Sequence, residues 1–400
     1  VKSRQANPQK RHILLVFETR FEEAGAMLRG ISKYQSSHHP WAAFLDDQAR
    51  TEEDPSWLRS KPWDGVISRH TTRRLAAECR RLQIPLVDLN DEPTFHDTHK
   101  IRPDNVGVGH MGAEHFIERG YRHFGFCGYS NHDWAVERRR GFVEGLGVAG
   151  FACNVLEVKY PGSLTPDWDR EQKAQIAAWL LQCRKPLAIM GCHDMRALQV
   201  IEACLAAGLT VPEDVAVLGA NDDAIRCELA NPALSSVATN SFLAGHTAAE
   251  LLDQLMSGAK VKPEETRIEP IRVVVRRSTD ILAIEDKTVA AALGHIRDNA
   301  CMGISVANVL ERVAASRSQL EKKFRQYIGR SPQAEIRQVQ LGKIKQLLHE
   351  TDFPLKKIAE IVGFEHPEYL SVVFKRVNKL SPGAYRRQVQ ADSGPRRVSS

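Results

Sequence analysis

Short apolar runs alternate with amphipathic stretches through the first two thirds of the chain. Residues 12–17 (HILLVF), 41–45, 65–68 and 84–89 read as strands, with a helix over 25–35 between the first two. A helix is predicted over 112–120, a strand over 123–129 and a helix over 138–150. Further strands are predicted at 155–160, 187–192, 215–220 and 235–239, again with helices between. Strands that alternate with helices build parallel sheets covered on both faces. About ten strands are too many for one such sheet. The pattern therefore predicts an α/β body of two similar lobes, residues 12–105 and 122–237, with the chain returning to the first lobe over 238–275.

The period then changes. After a helix over 286–299, residues 305–329 place Val306, Val309, Leu310 and Val313 on one short helix. A break follows at Ala314–Ser316, and Leu320 and Phe324 line a second helix that Ser316 can cap. Residues 358–374 repeat the unit. Ile358, Ala359 and Val362 line one helix, Gly363 turns the chain, and Leu370, Val373 and Phe374 bury the next. Leu320 and Leu370 stand fifty residues apart. A connecting helix carries Ile336, Leu341, Ile344, Leu347 and Leu348. The C-terminal part thus reads as an all-α domain with two helix-turn-helix units. The expected boundaries are a flexible start at 1–11, a two-lobed domain at 12–278, a linker at 279–290, a DNA-binding domain at 291–388 and a flexible tail at 389–400.

Charge separates the two parts. Residues 284–400 hold 20 Lys and Arg against 12 Asp and Glu, whereas residues 1–283 hold 35 against 37. A cationic module on a neutral body points to a polyanion for the module and another partner for the body. The chain has 400 residues, 42% of them hydrophobic, and no apolar run near the roughly 20 residues that span a membrane. A cytoplasmic, nucleoid-associated location is expected. The eight cysteines show no metal-like spacing and are expected to be free thiols.

Ligands of open α/β sheets bind beyond the carboxyl ends of the strands. Glu18 and Arg20 follow the first strand there, and Asn90–Pro93 follow residues 84–89, with Asp104–Asn105 a little later. His132, Asp133, Trp134 and Arg138 follow 123–129. His193 and Asp194 follow 187–192, and Asn221, Asp222 and Asp223 follow 215–220. Carboxylates, an amide, an arginine and an indole suit the hydroxyls and C–H face of a small sugar. The candidates for ligand contact are Asp194, Asn221, Arg138, Trp134, Asp104, Asp222 and Glu18. No GxGxxG opens a first helix and no GxxxxGK[ST] is present, which argues against a dinucleotide or a nucleoside triphosphate. HExxH, GxSxG and a nucleophile–base pair are also absent, so neither catalysis nor a cofactor or metal is expected.

Residues 191–240 (GCHDMRALQVIEACLAAGLTVPEDVAVLGANDDAIRCELANPALSSVATN) resemble the second lobe of the lactose-repressor and periplasmic sugar-binding superfamily. Asp194 falls on its ligand-contacting Asn/Asp. Asn221 falls on the first Asp of its GxDD element, Arg138 on the arginine of RxxGF, and Asp104–Asn105 on the DN before the crossing helix. Residues 363–387 (GF-x4-YL-SxxFKRxxxxSPxxYRR) resemble the arabinose-regulator type of DNA-binding domain. Two departures stand out, with Lys379–Leu380 in place of Gly-x before SP, and Ala314–Ala315 in place of a glycine-containing turn.

The DNA-binding resemblance implies that the second helix of each unit enters a major groove. Arg317, Ser318, Glu321 and Lys322 would read bases in the first unit, and Pro367, Glu368, Ser371 and Val372 in the second. Lys323, Arg325, Lys375 and Arg376 would hold phosphates. About 390 residues resemble the xylose-operon activators of enteric bacteria as a group. That implies D-xylose as effector, catabolic promoters as DNA targets, a homodimer, and contact with RNA polymerase. Alternatives are a repressor, a different pentose, a sugar-processing enzyme with an accessory DNA-binding domain, and a body that only dimerises.

Overall fold

The computed structural model describes residues 10–38, 41–48, 54–92, 98–162, 165–280 and 286–392. The chain divides into two compact units after residue 281. The expected N-terminal segment, apart from residues 10 and 11, lies outside the described residues, as do linker residues 281–285 and tail residues 393–400.

In the first unit, β1 (His12–Val16) is followed by α1 (Glu22–Ser37), β2 (Ala42–Asp46), β3 (Gly65–Ser68), α2 (Arg73–Arg81), β4 (Leu86–Asp88) and β5 (His99–Pro103). Next come α3 (Asn105–Glu118), β6 (His123–Tyr129), α4 (Asp133–Val148), β7 (Cys153–Val158), α5 (Pro166–Gln182), β8 (Leu187–Gly191) and α6 (Asp194–Ala206). The unit ends with β9 (Val215–Ala220), α7 (Ala224–Leu229), β10 (Ser235–Ala238), α8 (Ser241–Met256), β11 (Glu265–Ile268) and β12 (Arg272–Val274).

Two six-stranded sheets result, in the orders β11-β5-β4-β3-β1-β2 and β12-β10-β9-β8-β6-β7. The repeated order is the two-lobed α/β body that the alternating pattern predicts. Every pair is parallel except β10 with β12. Both faces of β1 are covered. Ile13 and Leu15 pack with α1 and α8, while Leu14 and Val16 pack with Trp63, Leu75 and Cys79. Such continuous burial is what makes parallel strands read as unbroken apolar runs.

Three findings differ from the pattern. Strands β5, β11 and β12 carry Lys100, Arg102, Glu265, Arg267 and Arg272, so they lack an apolar run. Lys100 and Arg102 are nevertheless only 3% exposed. Arg102 survives burial through two hydrogen bonds to Glu137, at 2.8 and 2.9 Å, and an ion pair with Glu265. Second, the return to the first lobe over 238–275 stops short. α8 and β11 join it, but β12 crosses back to the second sheet. There the buried Ser278 hydroxyl donates to the Val217 carbonyl at 2.6 Å and accepts from the Ser235 amide at 2.8 Å. Third, α3 and α4 begin earlier than their apolar residues suggest. Asp104 caps α3 by accepting from the Gly107 amide at 3.0 Å. The two helices then close on each other through glycines. A Cβ at Gly109 would lie 2.2 Å from the Arg138 carbonyl oxygen, and one at Gly141 would lie 2.0 Å from that of Val106.

The second unit is all helical: α9 (Lys287–Asn299), a 3-10 turn at Ala300–Met302, α10 (Val306–Leu310), α11 (Arg317–Ile328), α12 (Pro332–Glu350), α13 (Leu355–Ile361), α14 (Pro367–Asn378) and α15 (Pro382–Asp392). Asp286 caps α9, so residues 287–290 of the expected linker form its first turn. Likewise, α15 runs through residues 389–392 of the expected tail. Ser316 and Gln319 form a reciprocal capping box on α11. Leu320, Phe324, Leu370 and Phe374 are all fully buried, which fixes α11 and α14 as equivalent helices. Burial of each such side chain contributes roughly 1.5–3 kcal/mol. Gly342, inside α12 with open space around it, weakens that helix by about 1 kcal/mol relative to alanine. Among the described residues no helix is long and apolar enough to cross a membrane.

The duplication also explains one departure from the family pattern. α11 ends on Gly329 with φ 77°, and α14 ends fifty residues later on Lys379 with φ 61°. The left-handed conformation disfavours any side chain with a Cβ by roughly 1–2 kcal/mol, partly offset by the backbone entropy of glycine. Lys379→Gly is therefore expected to stabilise the helical unit by about 0.5–1 kcal/mol. Denaturant unfolding of the full chain, followed at the helical unit's transition, should show a higher midpoint. An unchanged or lower midpoint would show that the Lys379 side chain compensates its backbone.

Candidate functional site

The carboxyl ends of both sheets face a cleft of about 940 Å³. The second lobe supplies Tyr129, His132, Trp134, Arg138, His193, Asp194 and Asn221–Asp223. The first supplies Glu18, Arg20–Glu23, Arg69, His70 and Asn90–Glu92. Of the seven sequence candidates, Asp194, Asn221, Arg138, Trp134, Asp222 and Glu18 line this cleft. Asp104 does not, because its carboxylate is spent on capping α3. The next residue, Asn105, is the one that serves the site from behind.

Arg138 is 1% exposed. Its Nε donates to Asn105 Oδ1 at 2.9 Å, Nη1 to the Cys192 carbonyl at 2.8 Å and Nη2 to Asn221 Oδ1 at 2.8 Å. The guanidinium also lies 5.1 Å from the centre of the Trp134 ring, and the His132 ring stacks on the same indole. Three oxygens from separate elements thus hold the cation, so α3, β8 and β9 are all registered against α4. Asn221 and Asp222 adopt φ values of 103° and 57°, a left-handed pair at the cleft wall. Asn221 spends its carbonyl on Arg138, which leaves its amide hydrogens to donate into the cleft.

Asp194 opens α6 and is 3% exposed. Its Oδ1 accepts from Ser236 Oγ at 2.5 Å and its Oδ2 from the Asp223 amide at 2.8 Å. A Cβ at Gly219 would stand 2.2 Å from Oδ1, so only glycine fits beside it. Burial pushes its pKa up to about 7, against the lowering effect of those two hydrogen bonds. His193, the N-cap of α6, is pushed down to about 3 by burial and by Arg138 and Arg196. It is therefore neutral, and its Nδ1 accepts from the Arg196 amide at 3.2 Å. Asp222 pairs with Arg276 at 2.7 Å. Asp223 caps α7. Glu18 pairs with Arg20 at 2.8 Å.

Apart from Glu18, the first-lobe wall was passed over in choosing candidates from the sequence. Arg69 stands between Glu23 and Asp91, at 3.4 and 3.3 Å. Burial opposes its charge, but Asp91 and Glu23 outweigh that and hold its pKa above the usual value. Burial raises the Glu23 carboxyl in spite of Arg69. Glu23 Oε1 and Asp91 Oδ1 are buried atoms with no hydrogen-bond partner among the described residues. The strand-end rule reaches both Arg69, after β3, and Asp91, after β4. It does not say which residue of a loop turns inward. On the second-lobe side, Tyr129 packs against Tyr160 at 5.1 Å and His193 at 5.5 Å, which extends the aromatic wall beyond Trp134.

Three acidic side chains join the lobes around the cleft. Glu92 binds His132 Nδ1 at 2.6 Å and accepts from the Asp133 amide at the start of α4. Glu22 accepts from the Ala224 amide at the start of α7 at 2.8 Å. Glu137 of α4 takes the two Arg102 bonds. Two of the three carboxylates sit at helix N-termini of the opposite lobe, where exposed amides and the helix dipole favour negative charge. Among the described residues no group of three or more His, Cys, Asp or Glu side chains is arranged to hold a metal ion.

In the helical unit, α11 exposes Arg317, Ser318, Lys322 and Arg325, with Glu321 half-buried and 3.3 Å from Arg317. α14 exposes Glu368, Val372, Lys375 and Arg376 behind a half-buried Pro367. Ser371 is half-buried, and its hydroxyl donates back to the Pro367 carbonyl at 3.1 Å, so it is less free to read a base than its place on α14 suggests. Lys323 is held 2.7 Å from Asp286 and is not a free cation for phosphate. Tyr369, 54% exposed on α14, had no periodic signal to single it out.

Residues 113–279 match a family model described as a periplasmic binding protein-like domain, and residues 309–388 match one described as a helix-turn-helix domain. The chain is 29% identical over 395 residues to the xylose operon regulatory protein of Escherichia coli K12, spanning 94% of this chain and 97% of that protein. The corresponding Haemophilus influenzae protein is 28% identical, with the same coverage. Among solved structures, the xylose-binding transcription activator XylR superposes with a TM-score of 0.78 and 26% identity, over 95% of this chain and 99% of that one. The chain is therefore a sugar-responsive, DNA-binding transcriptional regulator whose helix-turn-helix domain follows the sensor, and it is similar along its length to the xylose operon regulatory proteins.

Proposed function

We propose that the cleft binds D-xylose and that its closure adjusts the hold of a homodimer on catabolic promoters, activating transcription. The observation that carries this reading is the complementarity of the two walls. Arg138 and Asn221 present hydrogen-bond donors from the second lobe, and buried, unpartnered Glu23 Oε1 and Asp91 Oδ1 present acceptors from the first. A small polyol carries both kinds of group on every hydroxyl. A site that leaves its own polar atoms unpaired when one hydroxyl is missing discriminates strongly against that analogue. The xylose-named relatives support the choice of pentose.

α11 and α14 would enter successive major grooves. Arg317 and Lys322 can bond guanine O6 and N7, Glu321 and Glu368 can accept from cytosine N4, and Val372 can contact a thymine methyl. Arg325, Lys375 and Arg376 would hold phosphates. Sugar shifts the lobes only by its differential affinity for their arrangements, and the promoter end obeys the same linkage. Contact with RNA polymerase would follow from the bound dimer.

Two single substitutions separate the two halves of this reading. In a screen of pentoses and hexoses, D-xylose at about 100 times its Kd should stabilise the sensor by about 2.7 kcal/mol. Arg138→Ala should remove that shift and leave the ratio of promoter to random-DNA affinity unchanged without sugar. Arg317→Ala should lower the ratio, by about 1–3 kcal/mol if its contact is bidentate, and keep the sugar shift. A shift from no pentose, or Arg317→Ala without effect on the ratio, would remove the corresponding half.

The raised Asp194 pKa fixes a second expectation. The folded chain holds this proton up to about pH 7, whereas the unfolded chain releases it near its ordinary value. Its contribution to stability is therefore full at low pH and is lost as pH rises toward and through 7. The slope is at most about 1.4 kcal/mol per pH unit. Asp194→Asn has no such proton, so wild type should lose stability relative to it between pH 5 and 8. Parallel curves would show that Asp194 is ionised across that range.

A further inference from the structure

Gln340 lies in the middle of α12 and is 3% exposed. Its amide nitrogen donates to two carbonyls, that of Ala300 at 3.0 Å and that of Val362 at 2.9 Å. Its oxygen accepts from Arg337 Nη1 at 3.1 Å. Ala300 and Val362 are not arbitrary acceptors. They are the C-cap residues of α9 and α13, one from each half of the helical unit. A helix end leaves carbonyls without an intrahelical partner, and burying one unpaired costs about 1–3 kcal/mol. One side chain therefore satisfies a helix end in both halves.

The backbone around this junction has the same two-sided character. Gly303, with φ 77°, follows the turn after α9, and Gly363, with φ 72°, follows α13. The two strands of backbone touch. A Cβ at Gly363 would stand 2.4 Å from the Gly303 nitrogen and 2.8 Å from the Cys301 carbonyl oxygen. Cys301 packs against the core of the second half, formed by Leu341, Ile344, Ile358, Val362, Leu370 and Phe374. Thus the segment that precedes the first reading helix is pinned to the turn that precedes the second. Arg337, tethered by Gln340, extends the link. Its guanidinium lies 4.7 Å from the centre of the Phe364 ring and 5.4 Å from that of Tyr369 on α14.

We propose that Gln340 is a positioning residue for DNA recognition: it fixes the spacing and relative angle of α11 and α14 without touching DNA. Two helices read adjacent turns of one duplex only if their separation matches the helical repeat of about 34–36 Å. α12 joins the readers but contains Gly342 two residues from Gln340, which leaves its middle easier to bend. The three Gln340 hydrogen bonds lock that region, so the cost of ordering the readers is met before DNA arrives. The inference rests on α11 and α14 being the readers, which the Arg317→Ala ratio tests separately.

The test uses the full chain and the DNA that wild type selects from a random pool. Three duplexes are compared: the selected site, the same site with one base pair inserted between its two half-contacts, and one half alone. One inserted base pair turns the halves by about 35° relative to each other. Wild type should prefer the selected site over the lengthened one by about tenfold or more, equivalent to about 1.4 kcal/mol. Gln340→Leu puts an apolar side chain of similar volume in place of the amide and removes both donors and the acceptor. It should bring the preference close to one, with affinity for the single half within about twofold of wild type. Arg337→Ala breaks the third bond, together with the Arg337 contacts to Phe364 and Tyr369, and should give an intermediate preference. Leu341→Ala weakens the neighbouring core and should lower the melting temperature while keeping the preference. An equal loss by Gln340→Leu on all three duplexes would overturn the proposal. So would a preserved preference in Gln340→Leu, or no spacing preference in wild type. Were Gln340→Leu to fail to fold, the Arg337→Ala preference would decide, with an unchanged value overturning the proposal.

Discussion

A guanidinium buried to 1% exposure organises the sensor. Removing such a cation from water costs several kcal/mol unless its hydrogens find well-placed oxygens. Arg138 finds three, from Asn105, Cys192 and Asn221, and an indole beside it. The requirement runs outward from there. α3 and α4 must meet closely enough to present Asn105, which the glycines at 109 and 141 permit. The loop after β9 must take left-handed φ values to present Asn221. Asp194 then fixes that loop to β10 through the Asp223 amide and Ser236.

The same helix that carries Arg138 is where the lobes meet. Its first turn takes Glu92, and Glu137, one residue before Arg138, takes Arg102. A ligand that moves Trp134 or Arg138 therefore acts on a helix already tied to the first lobe at two points. This gives the cleft a physical route from a bound ligand to lobe orientation, with α4 as the shared element. In the helical unit Gln340 has a similar place. A buried polar side chain again joins elements that are distant in sequence, here with both donors of its amide used.

How legible this was depends on distance along the chain. The parallel strands with apolar runs, such as residues 12–17 and 215–220, were plain because both of their faces are buried. β5 was not, because Lys100 and Arg102 are buried by partners that no local pattern announces. The helical duplication was legible because the same buried leucine and phenylalanine recur fifty residues apart. At the cleft, the strand-end rule and the family resemblance found Arg138, Asp194 and Asn221. They chose Asp104 where its neighbour Asn105 turns inward, since adjacent residues at a helix start differ only in direction. Glu23 comes from the first turn of α1 and Arg69 and Asp91 from two separate loops, and their meeting is a property of the fold.

The central claim is that sugar and promoter DNA bind to one coupled equilibrium. Linkage demands that each change the other's affinity by the same factor. The most direct measurement is the Kd of D-xylose for the full chain, free and saturated with its selected promoter site. A tighter Kd on DNA, by about fivefold or more, is expected. An identical Kd in both states, with both ligands bound, would contradict the coupling.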